Sequence, residues 1–257
     1  MIPDDIVECC GVRFHSTWID RAHGLAKRQI SEIGGAADQL EEVIEDDCYA
    51  FRDAMRMARG AHVHVLDIGA CLGVFSFHAL HLGAADVLAF EPNPIARRVL
   101  ELNELLNVDP NLDCQLEIRG EAIGPAEPRR RGLLLTDGQF GGTGFTENPD
   151  AGEPVSVWTL GEAAARMWPP YGLTFLKMDV EFGEHAIFLD YKAFCAPRVR
   201  EDAWYWLRQF DFISIEWHGA HSDVLLRNLA GHSIVKHTAV RDDLNIICLT
   251  NITCLTK

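Results

Sequence analysis

One stretch constrains this chain more than any other: Val65-Leu66-Asp67-Ile68-Gly69-Ala70-Cys71-Leu72-Gly73-Val74-Phe75-Ser76, followed by Val87-Leu88-Ala89-Phe90-Glu91-Pro92-Asn93-Pro94. An apolar run ends in an acid and a glycine-bearing turn, then opens a helix. About twenty residues later a second apolar run ends in Glu91, which is the spacing of one βαβ unit. Glycines let a backbone approach a ligand closely, and an acid at a strand tip can accept hydrogen bonds from a ribose diol. The pattern therefore predicts an adenosine-type cofactor site. Gly69-x-x-x-Gly73, with Asp67 two residues before it, lacks the Gly-x-Gly-x-x-Gly of dinucleotide sites. That difference favours S-adenosylmethionine over NAD and makes a hydride-transferring dehydrogenase the lesser enzyme reading.

A length of 257 residues fits one large α/β domain with an extension, and 48% hydrophobic residues can fill its core. The formal net charge of −15 disfavours general nucleic-acid binding. Arg129-Arg130-Arg131 is the one dense basic run and reads as a solvated loop. The eight cysteines form no Cys-x-x-Cys pair. Met1-Ile2-Pro3-Asp4-Asp5 lacks a basic region followed by an apolar run, so no signal peptide is expected, and no apolar run is long enough to span a membrane. The expectation is a cytoplasmic protein with reduced thiols. A zinc site on Cys9-Cys10 or a metal site on His78 and His81 is the less favoured reading of those residues.

Along the chain, residues 1–60 read as an N-terminal hairpin and helical cap, and 61–257 as the cofactor-binding domain. Ile6 to Trp18 suggests a hairpin, and Ala22 to Arg59 is mainly helical in spacing, with a break at Gly34-Gly35. From His62 strands and helices alternate. Strands end at Asp67 and Glu91, a third runs from Leu116 to Ile123, and others cover Thr174 to Asp179 and Phe212 to Trp217. Helices are expected near Val74 to Leu82, Ile95 to Asn107, Leu160 to Met167 and Ser222 to Leu229. Arg130 to Thr136 and Val155 to Trp158 form an added hairpin around the Gly-rich 137–144 stretch, and Pro169-Pro170 stops the helix before it. Ser233 to Ala239 and Asn245 to Thr250 form a final strand pair. Repeated βα units imply a doubly wound, mostly parallel sheet with a final antiparallel strand. Asp67, Glu91, Asp179 and Glu216 all fall at strand ends, where such sheets bind ligands.

These segments, taken in order, resemble the FkbM family of S-adenosylmethionine-dependent methyltransferases. Asp67-Ile68-Gly69-Ala70-Cys71-Leu72-Gly73 is the first carrier, with Cys71 where the family usually has Asn. Phe90-Glu91-Pro92-Asn93-Pro94 matches closely, Asn103 falls on the following helix, and Glu121-Ala122-Ile123-Gly124 is similar to the adenine-side segment. Leu176-Lys177-Met178-Asp179-Val180-Glu181-Phe182-Gly183-Glu184 follows the family's Lys-x-Asp-x-Glu-Gly-x-Glu, with Phe182 in place of Gly. Ile213-Ser214-Ile215-Glu216-Trp217-His218 matches its Ile-Glu-x-His ending, whereas Thr159-Leu160-Gly161 departs from Thr-Leu-Asp. The resemblance implies a class I, Rossmann-like fold and methyl transfer to an oxygen of a small molecule, sugar, glycolipid or natural product.

On this reading Asp67, Gly69, Ala70, Cys71, Gly73, Phe75, Glu91, Pro92, Asn93, Glu121 and Ala122 bind the cofactor. Alternation places Lys177, Asp179 and Glu181 on one side of an extended segment, and Glu216 and His218 on one side of another. Asp179, Glu181 and His218 are the catalytic candidates, with Lys177, Glu184 and Glu216 on the substrate side. Asp179, Glu181, Glu184 or His218 can take the acceptor's proton, or the acids can hold a divalent cation that orients it. Non-catalytic binding of the cofactor and N-methylation of a small molecule or peptide stay open.

Overall fold

Every residue from Val63 to Ile68 is buried, and so is every residue from Val87 to Phe90. Strands apolar on both sides belong in the middle of a parallel sheet covered by helices on both faces. The computed structural model describes residues 6–15, 17–18, 28–29, 40–108, 115–126, 130–134, 144–146, 150, 152–167, 171–181, 183–190, 198–219, 222–241 and 244–251. It begins with a hairpin, β1 (Ile6–Cys9) and β2 (Val12–His15), turning at Cys10-Gly11. β3 (Thr17–Trp18) pairs with β4 (Arg28–Gln29). A π-helical turn (Leu40–Glu45) and α1 (Phe51–Ala58) follow.

The main sheet then builds from β5 (Val63–Ile68), α2 (Val74–His81), β6 (Asp86–Phe90), α3 (Pro94–Asn107) and β7 (Gln115–Arg119). A small sheet interrupts it: β8 (Ala122–Ile123), β9 (Arg130–Leu134), β10 (Gly144–Thr146) and β11 (Glu153–Trp158). The chain returns through α4 (Leu160–Met167), β12 (Leu173–Met178) and α5 (Gly183–Phe188). A short ladder of β13 (Leu189–Asp190) and β14 (Arg198–Val199) precedes α6 (Glu201–Leu207), β15 (Phe212–His218) and α7 (Asp223–Asn228). β16 (Ser233–Arg241) and β17 (Leu244–Thr250) end the described fold.

The seven-stranded sheet has the order β16-β17-β15-β12-β5-β6-β7. Five strands are parallel, and β17 and β16 close one edge in antiparallel pairing. This is the mostly parallel, doubly wound α/β architecture that the alternation predicts. The chain winds outward from β5 to β6 and β7, then crosses back to β12 and β15. The direction of winding therefore reverses between β5 and β12, and the crevice beyond their carboxyl ends is where such sheets bind ligands.

Alternation along each strand splits the core into two layers. Val63, Val65, Phe175 and Phe212 face one cluster, together with Val12, Phe14, Ile44, Phe51, Phe75 and Phe77. Leu66, Ile68, Leu176 and Met178 face the other, against Leu160, Phe188, Trp204, Leu207 and Trp217. Each such side chain contributes about 1.5–3 kcal/mol on burial. β2, the π-helical turn and α1 thus share the first layer with the sheet.

The expected long helix up to Arg59 is broken. Arg28–Gln29 is a strand, and Asp47 and Ala50 adopt left-handed φ of +49° and +54°. The Asp47 carboxylate accepts the N–H groups of Phe51 and Arg52 at 3.0 Å each and starts α1 anew. The expected strand from Leu116 to Ile123 is divided at Gly120, so that Ala122 and Ile123 join the small sheet through β11. The Arg130 hairpin does form, as β9 against β11. Gly34-Gly35, the 137–143 stretch, Pro169-Pro170, Arg129, Phe182, Cys114, Cys195 and Cys254 lie outside the described residues. Cys9, Cys10, Cys48, Cys71 and Cys248 carry free thiols. Among the described residues no helix is long and apolar enough to cross a membrane.

Candidate active site

The turn after β5 is shaped by close backbone packing. Gly69 has φ +79°, and a Cβ there would lie 1.7 Å from the carbonyl oxygen of Asp179. Its N–H and that of Ala70 both donate to the carbonyl of Phe90, at 3.0 Å each. Cys71 stands at φ +51° and donates its N–H to Glu91 Oε2 at 2.8 Å. A left-handed residue is best Gly, Asn or Asp, so the cysteine here is held in place by its surroundings. Burial raises the Cys71 thiol to about 12, so its sulfur is an inert neighbour of the turn. Gly73, at φ +86°, caps α2 and packs against Phe77 and Leu100, while Asn103 Nδ2 donates to the carbonyl of Leu72 at 3.1 Å.

Glu91 is buried at the tip of β6. Its second oxygen accepts the Asn93 N–H at 2.7 Å, and Asn93 Oδ1 in turn caps α3 by accepting from Ile95 and Ala96. Burial lifts Glu91 to about 7 against the pull of these two backbone donors. Arg97 donates to the carbonyls of Glu91 and Pro92 at 3.0 and 3.4 Å. Beyond Pro92 a groove of about 400 Å³ is lined by Pro94, Arg97, Glu121 and residues 153–156.

Asp67 and Lys177 brace this turn from beneath. Asp67 is fully buried and accepts the Ser76 hydroxyl at 2.6 Å. Lys177 Nζ donates to the Gly69 carbonyl at 2.6 Å and lies 3.3 Å from Asp67 Oδ1. Burial opposes the ammonium, but Asp67 and Asp179 outweigh it and raise Lys177 above its ordinary value. Lys177, expected on the substrate side, is only 4% exposed and spent on the turn. Register explains this: Lys177 pairs with Asp67 inside the β5–β12 ladder, one residue short of the strand end.

The rim lies past the end of β12 and at the last residues of β15, which include Glu216 and His218. Asp179 is 3.9 Å from Lys177 Nζ, and Glu181, at φ +49°, is the most exposed of the rim carboxylates. His218 Nε2 is 3.4 Å from Glu181 and 3.6 Å from Glu216, and Nδ1 is 3.2 Å from Glu184. Glu184 is also expected beside the substrate, yet it is wholly buried. It accepts the Val180 N–H at 3.1 Å and orients His218. Burial disfavours the imidazolium, but the Glu184 hydrogen bond and the surrounding carboxylates carry His218 up to about 9. Burial, then the neighbouring Asp179, push Glu216 up to about 7. Ligand atoms of Asp179, Glu181 and His218 lie within 4.8 Å of one another, a set that could hold a metal ion.

A model of the FkbM methyltransferase domain matches residues 67–242. The chain belongs to the FkbM methyltransferase family. It is an S-adenosylmethionine-dependent methyltransferase. Among solved structures it is similar to an FkbM methyltransferase from Methylobacillus flagellatus at 13% identity and TM-score 0.46, covering 73% of this chain and 43% of that one. It is also similar to magnesium protoporphyrin IX methyltransferase from Synechocystis PCC 6803 with bound S-adenosylmethionine, at 12% identity and TM-score 0.46, covering 90% and 88%. A ribosomal protein L11 methylase from Lactobacillus delbrueckii subsp. bulgaricus aligns at 13% identity and TM-score 0.38, covering 78% and 75%. No curated protein matches the sequence.

In this FkbM enzyme Gly69, Ala70, Cys71, Gly73, Glu91, Pro92 and Asn93 gather at one crevice, and Asp179, Glu181, Glu216 and His218 lie at its other end. Three sequence candidates sit differently. The Phe75 ring is part of the core, edge-on to Tyr49 and Phe51 and stacked on Phe175, because the second position of α2 points into the first layer. Ala122 is buried in the small sheet. Glu121 is clamped by Arg119 at 2.7 and 3.1 Å, and the Arg119 guanidinium lies 4.7 Å from the centre of the Trp158 ring. Sequence reasoning missed Tyr49, whose hydroxyl reaches both Asp179 and Glu216. No spacing flags a tyrosine 130 residues before its partner.

Proposed function

We propose that this enzyme methylates a hydroxyl oxygen of a small molecule, a sugar or glycolipid, or a natural product, with the Asp179–Glu216 pair receiving the proton. The acceptor oxygen attacks the methyl carbon as the carbon–sulfur bond breaks. The bond's electron pair stays on sulfur, giving S-adenosylhomocysteine, and the hydroxyl proton passes to a carboxylate. The donor is already activated, so alignment dominates, and a proton acceptor works best with a pKa near the operating pH. The observation that carries the reading is Glu216, held at about 7 in a rim shared with Asp179. His218, at about 9, is cationic near neutrality, which suits it to balance the rim's charge rather than accept the proton. Residues 1–60 serve as a cap over the domain of 61–257.

The clustering of Asp179, Glu181 and His218 supports a second reading, in which a divalent cation orients the acceptor. Such a cation would have to displace the His218 proton. The test is a panel of hydroxylated sugars, glycolipids and polyketide-type compounds, with matching amines, incubated with methyl-labelled donor. O-methyl products whose yield survives chelator are expected. N-methyl products alone refute the hydroxyl assignment, and activity lost to chelator and restored by a divalent ion selects the cation reading.

A further inference from the structure

Tyr49 lies in the turn between the π-helical turn and α1, far in sequence from the rim it touches. Its hydroxyl oxygen is 3.2 Å from Asp179 Oδ2 and 3.1 Å from Glu216 Oε2. A phenol carries one hydrogen to donate. At 3.2 and 3.1 Å both carboxylate oxygens lie within hydrogen-bond reach of that one hydroxyl, which can bridge them.

The turn that carries Tyr49 is fixed on every side. Asp47 and Ala50, both left-handed, flank it, and non-glycine residues persist there only when their surroundings over-determine them. The carbonyls of Asp46 and Asp47 accept Lys236 Nζ at 3.1 and 3.0 Å, and that of Cys48 accepts the Cys248 thiol at 3.5 Å. The Tyr49 ring is edge-on to Phe75, and the Lys177 ammonium lies 5.3 Å from its centre. The ring is held by packing and cation–π attraction, so its hydroxyl arrives at one place.

We propose that Tyr49 is a positioning residue of the acceptor site, whose hydroxyl bridges the Asp179 and Glu216 carboxylates and holds them at one spacing. The proposal rests on the reading of that pair as proton acceptor. It also makes the segment before β5 a working wall of the site.

Two arms test it, the first without any acceptor. In protein labelled with carbon-13 on its tyrosine rings, NMR should show a slowly exchanging Tyr49 hydroxyl proton. Tyr49→Phe should abolish that signal, and Glu216→Gln and Asp179→Asn should each move it. A wild type without such a proton, or a signal indifferent to both carboxyl variants, overturns the clamp. In the second arm Tyr49→Phe, which keeps the ring packing, should bind S-adenosylhomocysteine within about twofold of wild type. With a hydroxyl acceptor from the panel its kcat should fall about ten- to hundredfold at unchanged KM for the donor, the size expected of a lost alignment. Wild-type kcat in Tyr49→Phe overturns the proposal, as does a parallel loss of cofactor affinity. If the wild type methylates no hydroxyl, the broader reading fails, while the hydroxyl signal still decides the clamp.

Discussion

Gly69→Ala should damage the fold and both halves of the site together. At φ +79° an added Cβ costs about 1–2 kcal/mol in the left-handed region. Here it would also stand 1.7 Å from the Asp179 carbonyl oxygen, where anything under 3.0 Å forces movement. That carbonyl is backbone, and the same residue's N–H donates to Ile68 at 2.9 Å, so relief means prying β12 from β5 by more than about an ångström. Overpacking of this kind costs about 1–3 kcal/mol. The total of about 2–5 kcal/mol is a large share of a typical stability of about 5–15 kcal/mol. Gly60 is the natural control: its φ is +85°, but a Cβ there meets nothing within 4 Å. Urea unfolding of Gly60→Ala reads the conformational cost alone, and the excess loss in Gly69→Ala reads the contact. Titration with S-adenosylhomocysteine should show weakened binding in Gly69→Ala and unchanged binding in Gly60→Ala. Equal stabilities for the two variants would refute the argument that Gly69 is required by the approach of Asp179.

Glu91→Ala removes the acceptor of the Cys71 and Asn93 N–H groups and should weaken S-adenosylhomocysteine binding by about 1–3 kcal/mol in calorimetry; unchanged affinity in a folded variant counts against Glu91 as the ribose acid. His78 is buried in α2 with neither ring nitrogen hydrogen-bonded among the described residues, and burial holds it at about 4 instead of 6.5. A depressed histidine contributes stability that is complete above 6.5 and is lost as pH falls toward 4, by up to about 3 kcal/mol. His78→Leu should flatten that acid limb in thermal melts taken from pH 7 to 4, and an unaltered limb would assign the loss elsewhere.

The cofactor half of the site was legible because its chemistry is local. Asp67 to Gly73 and Glu91 to Asn93 are contiguous runs whose turns, caps and backbone hydrogen bonds close within a few residues or across one βαβ unit. The rim beyond β12 was legible in composition but not in depth. Period-two alternation correctly groups Lys177 with Asp179, yet it cannot say that Lys177 is still inside the ladder while Asp179 is past its end. Glu184 reads as a site acid and proves to be a buried orienting group, because α5 starts at Gly183 and turns it inward onto His218. Two short helices, α5 and α6, carry too few turns for a periodic signal, although Phe188, Trp204 and Leu207 make them core elements. The break before α1 was hidden because Ala50 takes a left-handed conformation that its residue type does not announce.

Lys236 ties residues of β16 to a turn 190 positions earlier in the chain. Cys248, in β17, grips the same turn across a separation of 200 residues. Contacts so distant in sequence carry a large loop-closure cost. The turn after β5 is held instead by Phe90 and Lys177. The seat of Tyr49 depends on the β16–β17 hairpin. Loosening the hairpin is therefore expected to shift the Tyr49 hydroxyl while the turn after β5 keeps its place.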